Sequence, residues 1–378
     1  MKKATVAIAI LFTLAVSAQT APENSFRPRK QLRYLMGTIV EIKAYQVGQT
    51  PALVEKTDQA INAAFAEIKR LDAMLSNWRT DSELMRLNRE ANQPGAAVAV
   101  SLELFARVQT ALGIAKETGG GFDPTVGPLV RAWGFLPMSS GRHESPAQAR
   151  QRVGWEKVSL ETATQSVRFG VPNMEIDLGG IAKGYAAERA VEILSKHGIR
   201  DAIVNLGGSS IAALGRPYVG DKENCGGGTI SSFHCEVWGI YIRDPRGGAT
   251  PVAGVSLRGG EALATSGTYE NVTSDKRGKR SHIIDPRTGQ AVGGRVSVTV
   301  LAADAETADA LTKPFFFVQS LNSAEAQKIL RNFPKASVML IAQRGDSLRI
   351  ETAGAEPARF VSLLSPTRTA GKHVAKTR

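Results

Sequence analysis

A strand, glycine and helix sequence near the middle of the chain constrains the fold more than any other segment. Residues 175–177 close an apolar stretch that predicts a strand, Gly179 and Gly180 form a tight bend, and residues 181–196 have helical apolar spacing. Such a bend directs backbone N–H groups and the positive helix end to one point, where Lys183 adds an ammonium group. The arrangement suits a pyrophosphate, and a bend that only lets a strand and a helix pack closely is the alternative.

Two further glycine-bearing segments supply residues that a ligand site uses. GGFDPTVGPLVRAWGF begins at Gly120 after a predicted helix over residues 101–118, and its glycines allow a ligand to approach the backbone closely. RSHIIDPRTG, residues 280–289, places His282 before a predicted turn. Taken alone, the first segment also suits a flexible loop and the second a structural histidine.

The order of these segments makes the chain similar to the family of FAD:protein FMN transferases, often called ApbE. The resemblance runs from about residue 33 to about residue 318. The matching stretches are MGTIVEI from Met36, LSNWRTDSELMRLN from Leu75, GGFDPTVGPLVRAWGF from Gly120, EIDLGGIAKGYAAERA from Glu175, IVNLGGS from Ile203, WGIYIRDP from Trp238, ATSGTYEN from Ala264, SHIIDPRTG from Ser281 and SVTVLAADAETADAL from Ser297.

The resemblance implies a transferase. Such an enzyme cleaves the pyrophosphate of FAD, joins the FMN phosphate to a Thr or Ser hydroxyl of another protein through a phosphoester bond, and releases AMP. The chemistry calls for a cation near the bridging oxygens, donors that hold the phosphates, and a base near the incoming hydroxyl. The expected partner is an exported or membrane flavoprotein with a short Ser/Thr-containing acceptor motif.

The family motifs also assign site residues by position. Trp78 is expected to stack on a ring of FAD, Asp177 to accept hydrogen bonds from the ligand, and Lys183 to balance phosphate charge. His282 is the candidate base for the acceptor hydroxyl, because imidazole titrates near neutral pH. The complete set of expected FAD contacts is Met36, Trp78, Gly121, Phe122, Asp123, Asp177, Lys183 and Ile283.

The metal site is where the sequence departs from the family. The resemblance implies a magnesium ion on the Gly180 carbonyl and the Asp309 carboxylate, but Lys313 stands where the family carries a Thr ligand. On a helix Lys313 reaches Asp309 directly, so it either replaces part of the metal's charge or turns away. Thr312 points about 100° away from Lys313 and can substitute only where Pro314 distorts the helix. We expect a weakened or altered magnesium dependence.

Two other functions stay open at this point. A protein that binds FAD without transferase activity would keep the FAD contacts and lose the metal site, and Lys313 favours this interpretation. A redox carrier would instead use bound FAD to exchange electrons with a partner.

The N-terminus predicts export to the periplasm. Lys2 and Lys3 precede an apolar run over residues 4–16, and small residues follow, so residues 1–18 have the pattern of a signal peptide with cleavage after Ala18 or Ala21. The run is short for a membrane span, and an uncleaved anchor is the alternative. We expect no stable membrane insertion. A lipid anchor is not indicated, because no cysteine lies near the cleavage sites.

Cys225 and Cys235 lie inside an insertion at residues 216–236. In an oxidising compartment they can close a small loop through a disulfide. His234 beside Cys235 raises a metal site as the alternative, but two cysteines and one histidine are an incomplete ligand set. The insertion is a candidate contact for the acceptor protein, or it is neutral.

The formal charge of +12 does not indicate nucleic-acid binding. Residues 1–18 carry +2, residues 19–30 carry +2 and residues 365–378 carry +4, so only +4 remains for the rest of the chain. The tail has the composition of a solvated, disordered segment. No interleaving of aromatic and basic residues or zinc module of the kind that contacts bases is present.

The element order predicts an α+β fold with two lobes, mixed sheets and FAD in the cleft between the lobes. With 43% hydrophobic residues, the chain has enough apolar surface for one large catalytic unit, expected over residues 33–364 after a flexible segment at 19–32. Helices are predicted at 51–75, 101–118, 181–196, 306–317 and 323–332, and strands around 34–45 and at 157–160, 166–169, 202–206, 211–213, 238–243, 254–257, 297–302 and 337–342.

Overall fold

The computed structural model of the protein describes residues 27–46, 50–93, 95–137, 144–217, 237–248, 250–270, 272–275 and 278–364. The predicted signal peptide, most of the cysteine-bearing insertion and the basic tail lie outside these ranges. The disulfide between Cys225 and Cys235 and the alternative metal site with His234 therefore stay predictions.

Strands and helices alternate in groups along the chain, and helices α1, α3 and α6 are the longest. The strands are β1 (Arg27–Leu35), β2 (Thr38–Gln46), β3 (Ala97–Ala99), β4 (Val158–Glu161), β5 (Ser166–Phe169), β6 (Asp201–Leu206), β7 (Ser210–Leu214), β8 (Trp238–Arg243), β9 (Pro251–Leu257), β10 (Ala262–Gly267), β11 (Val272–Asp275), β12 (Gly278–Ser281), β13 (Val296–Ala302), β14 (Ser337–Arg344), β15 (Ser347–Gly354) and β16 (Phe360–Ser362). The helices are α1 (Pro51–Leu75), α2 (Glu83–Glu90), α3 (Leu102–Glu117), α4 (Gly127–Ala132), α5 (Pro146–Arg150), α6 (Ala182–Lys196), α7 (Ala305–Leu311) and α8 (Ala324–Asn332).

An eight-stranded sheet forms the centre of the fold, in the order β1-β2-β6-β7-β10-β13-β14-β15. Smaller sheets have the orders β16-β9-β8 and β3-β5-β4, and β11 pairs with β12. The α+β class is confirmed, but every strand pair in the described ranges is antiparallel, so the expectation of mixed sheets was wrong. In the large sheet, short turns explain this for β1–β2, β6–β7 and β14–β15, because strands joined by a tight turn must run in opposite directions. The other neighbours, such as β2 and β6, are joined by long connections that do not fix the strand direction.

The first hairpin begins earlier than the sequence predicts. Strand β1 pairs with β2 from Arg27 onward, so residues 27–32 belong to the sheet and not to a flexible segment. The turn consists of Met36 and Gly37, whose φ angles of 51° and 71° match the twist of the flanking strands.

The fold has three layers, with the large sheet in the middle, helices on one face and a small sheet on the other. Side chains alternate along β13, so Val298 and Val300 face helices α7 and α8 together with Phe315. Leu301 faces the opposite side and packs with Val255 of the small sheet β16-β9-β8. Farther along the large sheet, helices α1, α3 and α6 cover β2 and β6 in the largest apolar cluster.

Helix α1 has the predicted boundaries because both local signals agree. The Thr50 side chain accepts a hydrogen bond from the Leu53 N–H, and Pro51 fits the first helical position. A buried stripe that includes Ile61, Ile68 and Leu71 faces the core. Among the described residues, no helix combines the length and the hydrophobicity that a bilayer crossing requires.

Helix α7 is shorter than the predicted helix at 306–317. It ends at Leu311, and a separate 3₁₀ turn follows at Pro314–Phe316. Pro314 explains the break, because proline has no N–H for the helical ladder and its ring crowds the preceding turn. Lys313 therefore lies at the junction between the two short helical segments.

Residues 175–177 are extended but form no strand, so this prediction was wrong. The Asn88 side chain takes the place of a neighbouring strand: its Oδ1 accepts from the Ile176 N–H at 2.8 Å, and its Nδ2 donates to the Ile176 carbonyl at 2.9 Å. Asn77 Nδ2 donates to the same carbonyl at 3.0 Å. These amides satisfy a buried backbone that a sheet would otherwise pair.

Candidate active site

The start of α6 and helix α7 are in direct backbone contact. A Cβ atom on Gly184 would lie 2.0 Å from the Ala305 carbonyl oxygen, so only glycine allows this approach. The Gly184 N–H donates to Asp309 Oδ2 at 3.1 Å, and the Ser210 hydroxyl donates to the same oxygen at 3.2 Å. Asp309 is 2% exposed and is therefore held in one orientation from two sides.

The ammonium group of Lys313 fills the space between Asp309 and the glycine bend. Its Nζ donates to Asp309 Oδ1 at 2.6 Å, to the Asp309 carbonyl at 2.8 Å and to the Gly180 carbonyl at 3.2 Å. An ammonium group has three N–H donors, and these three acceptors match that number. Burial lowers the pKa of Lys313, and the adjacent Asp309 carboxylate opposes this shift.

Glycines let the surrounding loops close on this cluster. A Cβ on Gly180 would lie 2.8 Å from the Phe122 ring and 3.4 Å from Lys313 Cε, and a Cβ on Gly121 would lie 2.7 Å from Pro314 Cβ. Phe122 is buried, and its N–H donates to the Thr118 hydroxyl. The predicted FAD contact Phe122 therefore lies against the predicted metal ligand Gly180, and the predicted contact Gly121 lies against Pro314, next to Lys313.

Asp177 and Lys183 lie on the two sides of the glycine bend. Asp177 Oδ1 accepts from the Gly179 N–H at 2.7 Å. Burial raises the pKa of Asp177, while this hydrogen bond and the charges of Arg131, Lys183 and Lys313 oppose the rise. Lys183 is half-buried, and its ammonium group forms no hydrogen bond or ion pair with any residue in the described ranges. Its charge is thus available to a ligand.

The three glycine-bearing segments meet, as their combination in the sequence suggests. The segment that begins at Gly120 contacts the segment of the glycine bend, since the Asp177 N–H donates to the Pro124 carbonyl at 2.6 Å. It also contacts residues 280–289, since Trp133 Nε1 donates to the Gly289 carbonyl at 3.0 Å. The segment that begins at Gly120 therefore bridges the other two.

Asp123 has a structural partner for each carboxylate oxygen. Oδ1 accepts from the N–H and the hydroxyl of Thr125, and Oδ2 accepts from the Trp155 N–H at 3.0 Å. The residue caps a 3₁₀ turn at Pro124–Val126, and burial raises the pKa of its carboxyl group. These bonds shape the loop that carries Phe122.

The other predicted contacts lie on separate elements. Met36 occupies the β1–β2 turn, and Trp78 follows α1 with 68% of its surface exposed, which leaves its ring available for stacking. Ile283 is buried, and the ring of the half-buried His282 meets Phe135 nearly edge-on with centroids 6.3 Å apart. The acceptors of the Lys313 ammonium group belong instead to Gly180 and Asp309.

Two supporting residues, Ser210 and Asn88, were not predicted from the sequence. Ser210 and Asn88 act through long-range hydrogen bonds that no local pattern indicates. The Thr312 hydroxyl bonds to the Asp309 carbonyl at 2.8 Å and lies 2.7 Å from the Ser266 hydroxyl, so it does not face the Gly180 carbonyl as a replacement ligand. Ser210 follows directly on the IVNLGGS stretch, which is the only sequence signal for its importance.

Comparison with known proteins decides the family. The sequence profile described as the ApbE family matches residues 36–340, most of the chain. The chain belongs to the ApbE family. An FAD:protein FMN transferase of Treponema pallidum (strain Nichols) is 32% identical over 324 residues, which cover 83% of this chain and 84% of the relative. The enzyme of that name from Haemophilus influenzae is 31% identical, covering 74% of this chain and 78% of the relative.

Solved ApbE structures have the same fold. The ApbE protein of Thermotoga maritima aligns with a TM-score of 0.69 at 28% identity and covers 85% of this chain and 96% of its own. The flavin transferase ApbE of Vibrio cholerae aligns with a TM-score of 0.66 at 25% identity and covers 88% of this chain and 98% of its own.

The oxygen atoms expected to bind magnesium do not fit a metal ion in this ApbE-family chain. Gly180 O and Asp309 Oδ1 both accept hydrogen bonds from Lys313, and Asp309 Oδ2 is already bonded to Gly184 and Ser210. Within the described ranges, no group of three or more His, Cys, Asp or Glu side chains could hold a metal ion elsewhere.

Proposed function

We propose that this protein is an FAD:protein FMN transferase. The observation that carries the proposal is the contact of the three glycine-bearing segments with one another, together with the joining of Gly180 to Asp309 through Lys313 and the available ammonium group of Lys183. This site belongs to a chain whose family match spans residues 36–340 and whose named relatives are transferases of this kind. FAD is the substrate, and a flavoprotein is the acceptor.

The proposed reaction breaks one phosphoanhydride bond and forms one phosphoester bond. The acceptor hydroxyl oxygen attacks the phosphorus of the FMN half, the bond to the bridging oxygen breaks, and AMP leaves with that oxygen. His282 accepts the proton from the acceptor hydroxyl. Lys183, at the positive end of α6, stabilises charge on the phosphate oxygens.

Aromatic and carboxylate groups around this centre orient FAD in the proposal. Trp78 offers an exposed ring face, and Met36 and Ile283 supply apolar contacts. Phe122 and Gly121 define the wall of the site, Asp177 accepts hydrogen bonds from the ligand, and Asp123 fixes the loop.

Magnesium enters this proposal only as the sequence-based expectation. When bound in such a site, a divalent cation would neutralise charge on the bridging oxygens. The hydrogen bonds of Lys313 do not fit that role for Gly180 and Asp309, so we derive no step of the reaction through a metal ion.

The transferase activity is tested with FAD and a flavoprotein acceptor that carries a Ser/Thr motif. Expected products are AMP, detected by chromatography, and an acceptor that is fluorescent and heavier by one FMN group. Bound FAD with no AMP and an unchanged acceptor would indicate a binding protein without transferase activity. Bound FAD that cycles between redox states with a partner would indicate a redox carrier.

We also propose that the protein acts in the periplasm. The support is the sequence of residues 1–18, where Lys2 and Lys3 precede an apolar run and small residues. Cell fractionation and N-terminal sequencing test this location. A mature chain that starts after Ala18 or Ala21 in the periplasmic fraction is expected, and an uncleaved chain in the membrane fraction would contradict it.

A further inference from the structure

We propose that the ammonium group of Lys313 is a built-in cation that stands between Gly180 and Asp309 in place of a divalent metal ion, so that FAD binding and AMP release require no metal. The inference rests on the proposed function, and it names how that site balances charge. It departs from the magnesium dependence expected from the sequence.

The three hydrogen bonds of Lys313 carry the first step. Nζ lies 2.6 Å, 2.8 Å and 3.2 Å from its three acceptors, the side-chain and backbone oxygens of Asp309 and the carbonyl of Gly180. A magnesium ion would need oxygen ligands at about 2.0–2.1 Å in octahedral positions. It would therefore have to enter the volume that Nζ occupies, and two cations at that separation repel each other.

The second observation is the hydrogen bonding around Asp309, which prevents its carboxylate from binding a magnesium ion as well as the Lys313 ammonium group. Its second oxygen is held by the Gly184 N–H at 3.1 Å and the Ser210 hydroxyl at 3.2 Å. Rotation of the carboxylate toward a metal ion would break these bonds while Asp309 remains 2% exposed. A buried N–H or hydroxyl without a partner is costly.

The third observation is the packing of the Lys313 methylene groups, which fixes the position of the ammonium group. Lys313 Cε is 3.4 Å from the position of a Cβ on Gly180, and the Phe122 ring lies 2.8 Å from the same position. Pro314 follows directly and packs against Gly121. Thr312, the nearest hydroxyl that could complete a metal shell, pairs with Ser266 instead.

The net charge of the Lys313–Asp309 pair determines which residue supplies positive charge to the FAD diphosphate. Lys313 and Asp309 form a pair with no net charge, whereas a magnesium ion on the same carboxylate would leave the centre positive. The positive charge that faces the FAD diphosphate then comes mainly from Lys183, whose ammonium group forms no hydrogen bond or ion pair within the described part of the chain. Lys313 is therefore a positioning residue that holds the glycine bend and Asp309 in register.

FAD binding with and without metal tests the proposal. FAD fluorescence quenching is measured for the wild-type protein, Lys313→Thr and Lys328→Thr, each in EDTA and in excess Mg²⁺. Lys328 lies exposed on α8 and provides the matched loss of a lysine that is not among the predicted site residues. AMP release with an acceptor is recorded under the same conditions, and thermal unfolding confirms that each variant is folded.

Wild type and Lys328→Thr are expected to bind FAD and to release AMP equally, within about twofold, in EDTA and in Mg²⁺. Lys313→Thr is expected to lose about tenfold or more in FAD affinity in EDTA and to regain it in Mg²⁺, since threonine opens the oxygen set to the metal. Calorimetric titration of Mg²⁺ into the wild-type FAD complex should show no saturable binding, and this measurement needs no variant.

Wild-type FAD affinity that rises tenfold or more with Mg²⁺ would overturn the proposal, whether or not AMP is released. AMP release that EDTA abolishes and Mg²⁺ restores in the wild type would also overturn it, and would leave the transferase function standing. Metal-independent FAD binding with no AMP in any condition would uphold the role of Lys313 and contradict the proposed transferase function.

Discussion

Helix α7 carries two buried acidic side chains three residues apart, and the two differ in how well they are paired. At Asp309, both carboxylate oxygens have partners, and all three donors of Lys313 are used. At Glu306, Oε2 accepts from Arg107 of α3, but Glu306 Oε1 and Arg107 Nε have no hydrogen-bond partner among the described residues. Both residues are at most 5% exposed.

The difference separates a site of fixed geometry from a site of variable charge. Burial raises the pKa of Glu306 to about 7, Arg107 opposes the rise, and the nearby carboxyl groups of Asp304, Glu188 and Asp309 add to it. A half-satisfied carboxylate therefore takes up a proton near neutral pH, whereas the cluster around Lys313 is held by complementary hydrogen bonds. The fully paired end of the helix is the one that faces the candidate active site.

Removing the carboxylate at the paired end is expected to have the largest effect. Asp309→Ala leaves the Lys313 ammonium group beside two carbonyls without a counter-charge and takes the acceptor away from Gly184 and Ser210. We expect the free energy of unfolding to fall by about 3–5 kcal/mol and FAD binding to be lost. Urea denaturation and FAD fluorescence measure these effects, and a loss below about 1 kcal/mol would contradict the account of this cluster.

Glu306→Gln should change the pH dependence of stability. The folded pKa of about 7 lies above the ordinary value of 4.5, so the contribution of Glu306 is present below pH 4.5 and is lost as the pH rises to 7. The difference in unfolding free energy between the variant and the wild type should therefore shift by up to about 3 kcal/mol, in favour of the variant, between these pH values. Urea denaturation across this range measures it.

The matched control for that change is Glu90→Gln, which alters an exposed carboxyl group on α2. Because this side chain is exposed and pairs with Arg86 at the surface, its replacement should change stability by about 1 kcal/mol or less. Equal pH profiles for Glu306→Gln and the wild type would mean that the two ends of α7 do not differ in the way described.

Gly184→Ala tests whether the close contact of α6 and α7 supports the paired end. The new Cβ would lie 2.0 Å from the Ala305 carbonyl oxygen, so the helices must separate and lengthen the bond from Gly184 to Asp309. We expect the variant to lose about 1–3 kcal/mol of stability and to bind FAD more weakly. Gly113→Ala is the control, since no atom lies within 4 Å of its Cβ position and alanine favours helix α3, by about 0.5–1 kcal/mol.

The smallest expected effect concerns the extended segment that leads to the glycine bend. Asn88→Ala removes the acceptor of the Ile176 N–H, so stability should fall by about 1–2 kcal/mol, and the KM for FAD should rise. Asn332→Ala removes an exposed amide that donates to the Glu117 carbonyl at 2.8 Å, and should cost about 0.5 kcal/mol or less. Equal losses in both variants would show that the Asn88 bonds add nothing beyond an exposed hydrogen bond.

Local signals in the sequence predicted the long helices and six of the eight strands of the large sheet, but not β10 and β15. The boundaries of α1 agree with the prediction because a long apolar period, Thr50 at the cap and Pro51 at the first position all indicate the same helix. The early end of α7 follows from Pro314, although a helix was predicted as far as residue 317. The contact of Lys313 with Asp309 also follows from their spacing of four residues.

Long-range partners could not be predicted from the sequence. Apolar and charged residues alternate over 174–178, as they do in a strand. The group that pairs with Ile176 is nevertheless the side chain of Asn88, 88 residues away. Ser210 reaches Asp309 from 99 residues away. Such hydrogen bonds depend on the tertiary packing of α6, α7 and the large sheet, which no local periodicity encodes. The family resemblance supplied Gly180 and Asp309, and only the structure shows Lys313 joined to both.

Anomalous diffraction from crystals grown with FAD and excess Mn²⁺ tests the central claim most directly. The account predicts FAD phosphates beside Lys183 and the glycine bend, Lys313 Nζ within hydrogen-bond distance of Gly180 O and Asp309, and no manganese peak between these oxygens. A manganese peak bound to Gly180 O and Asp309, with the Lys313 side chain turned away, would contradict it.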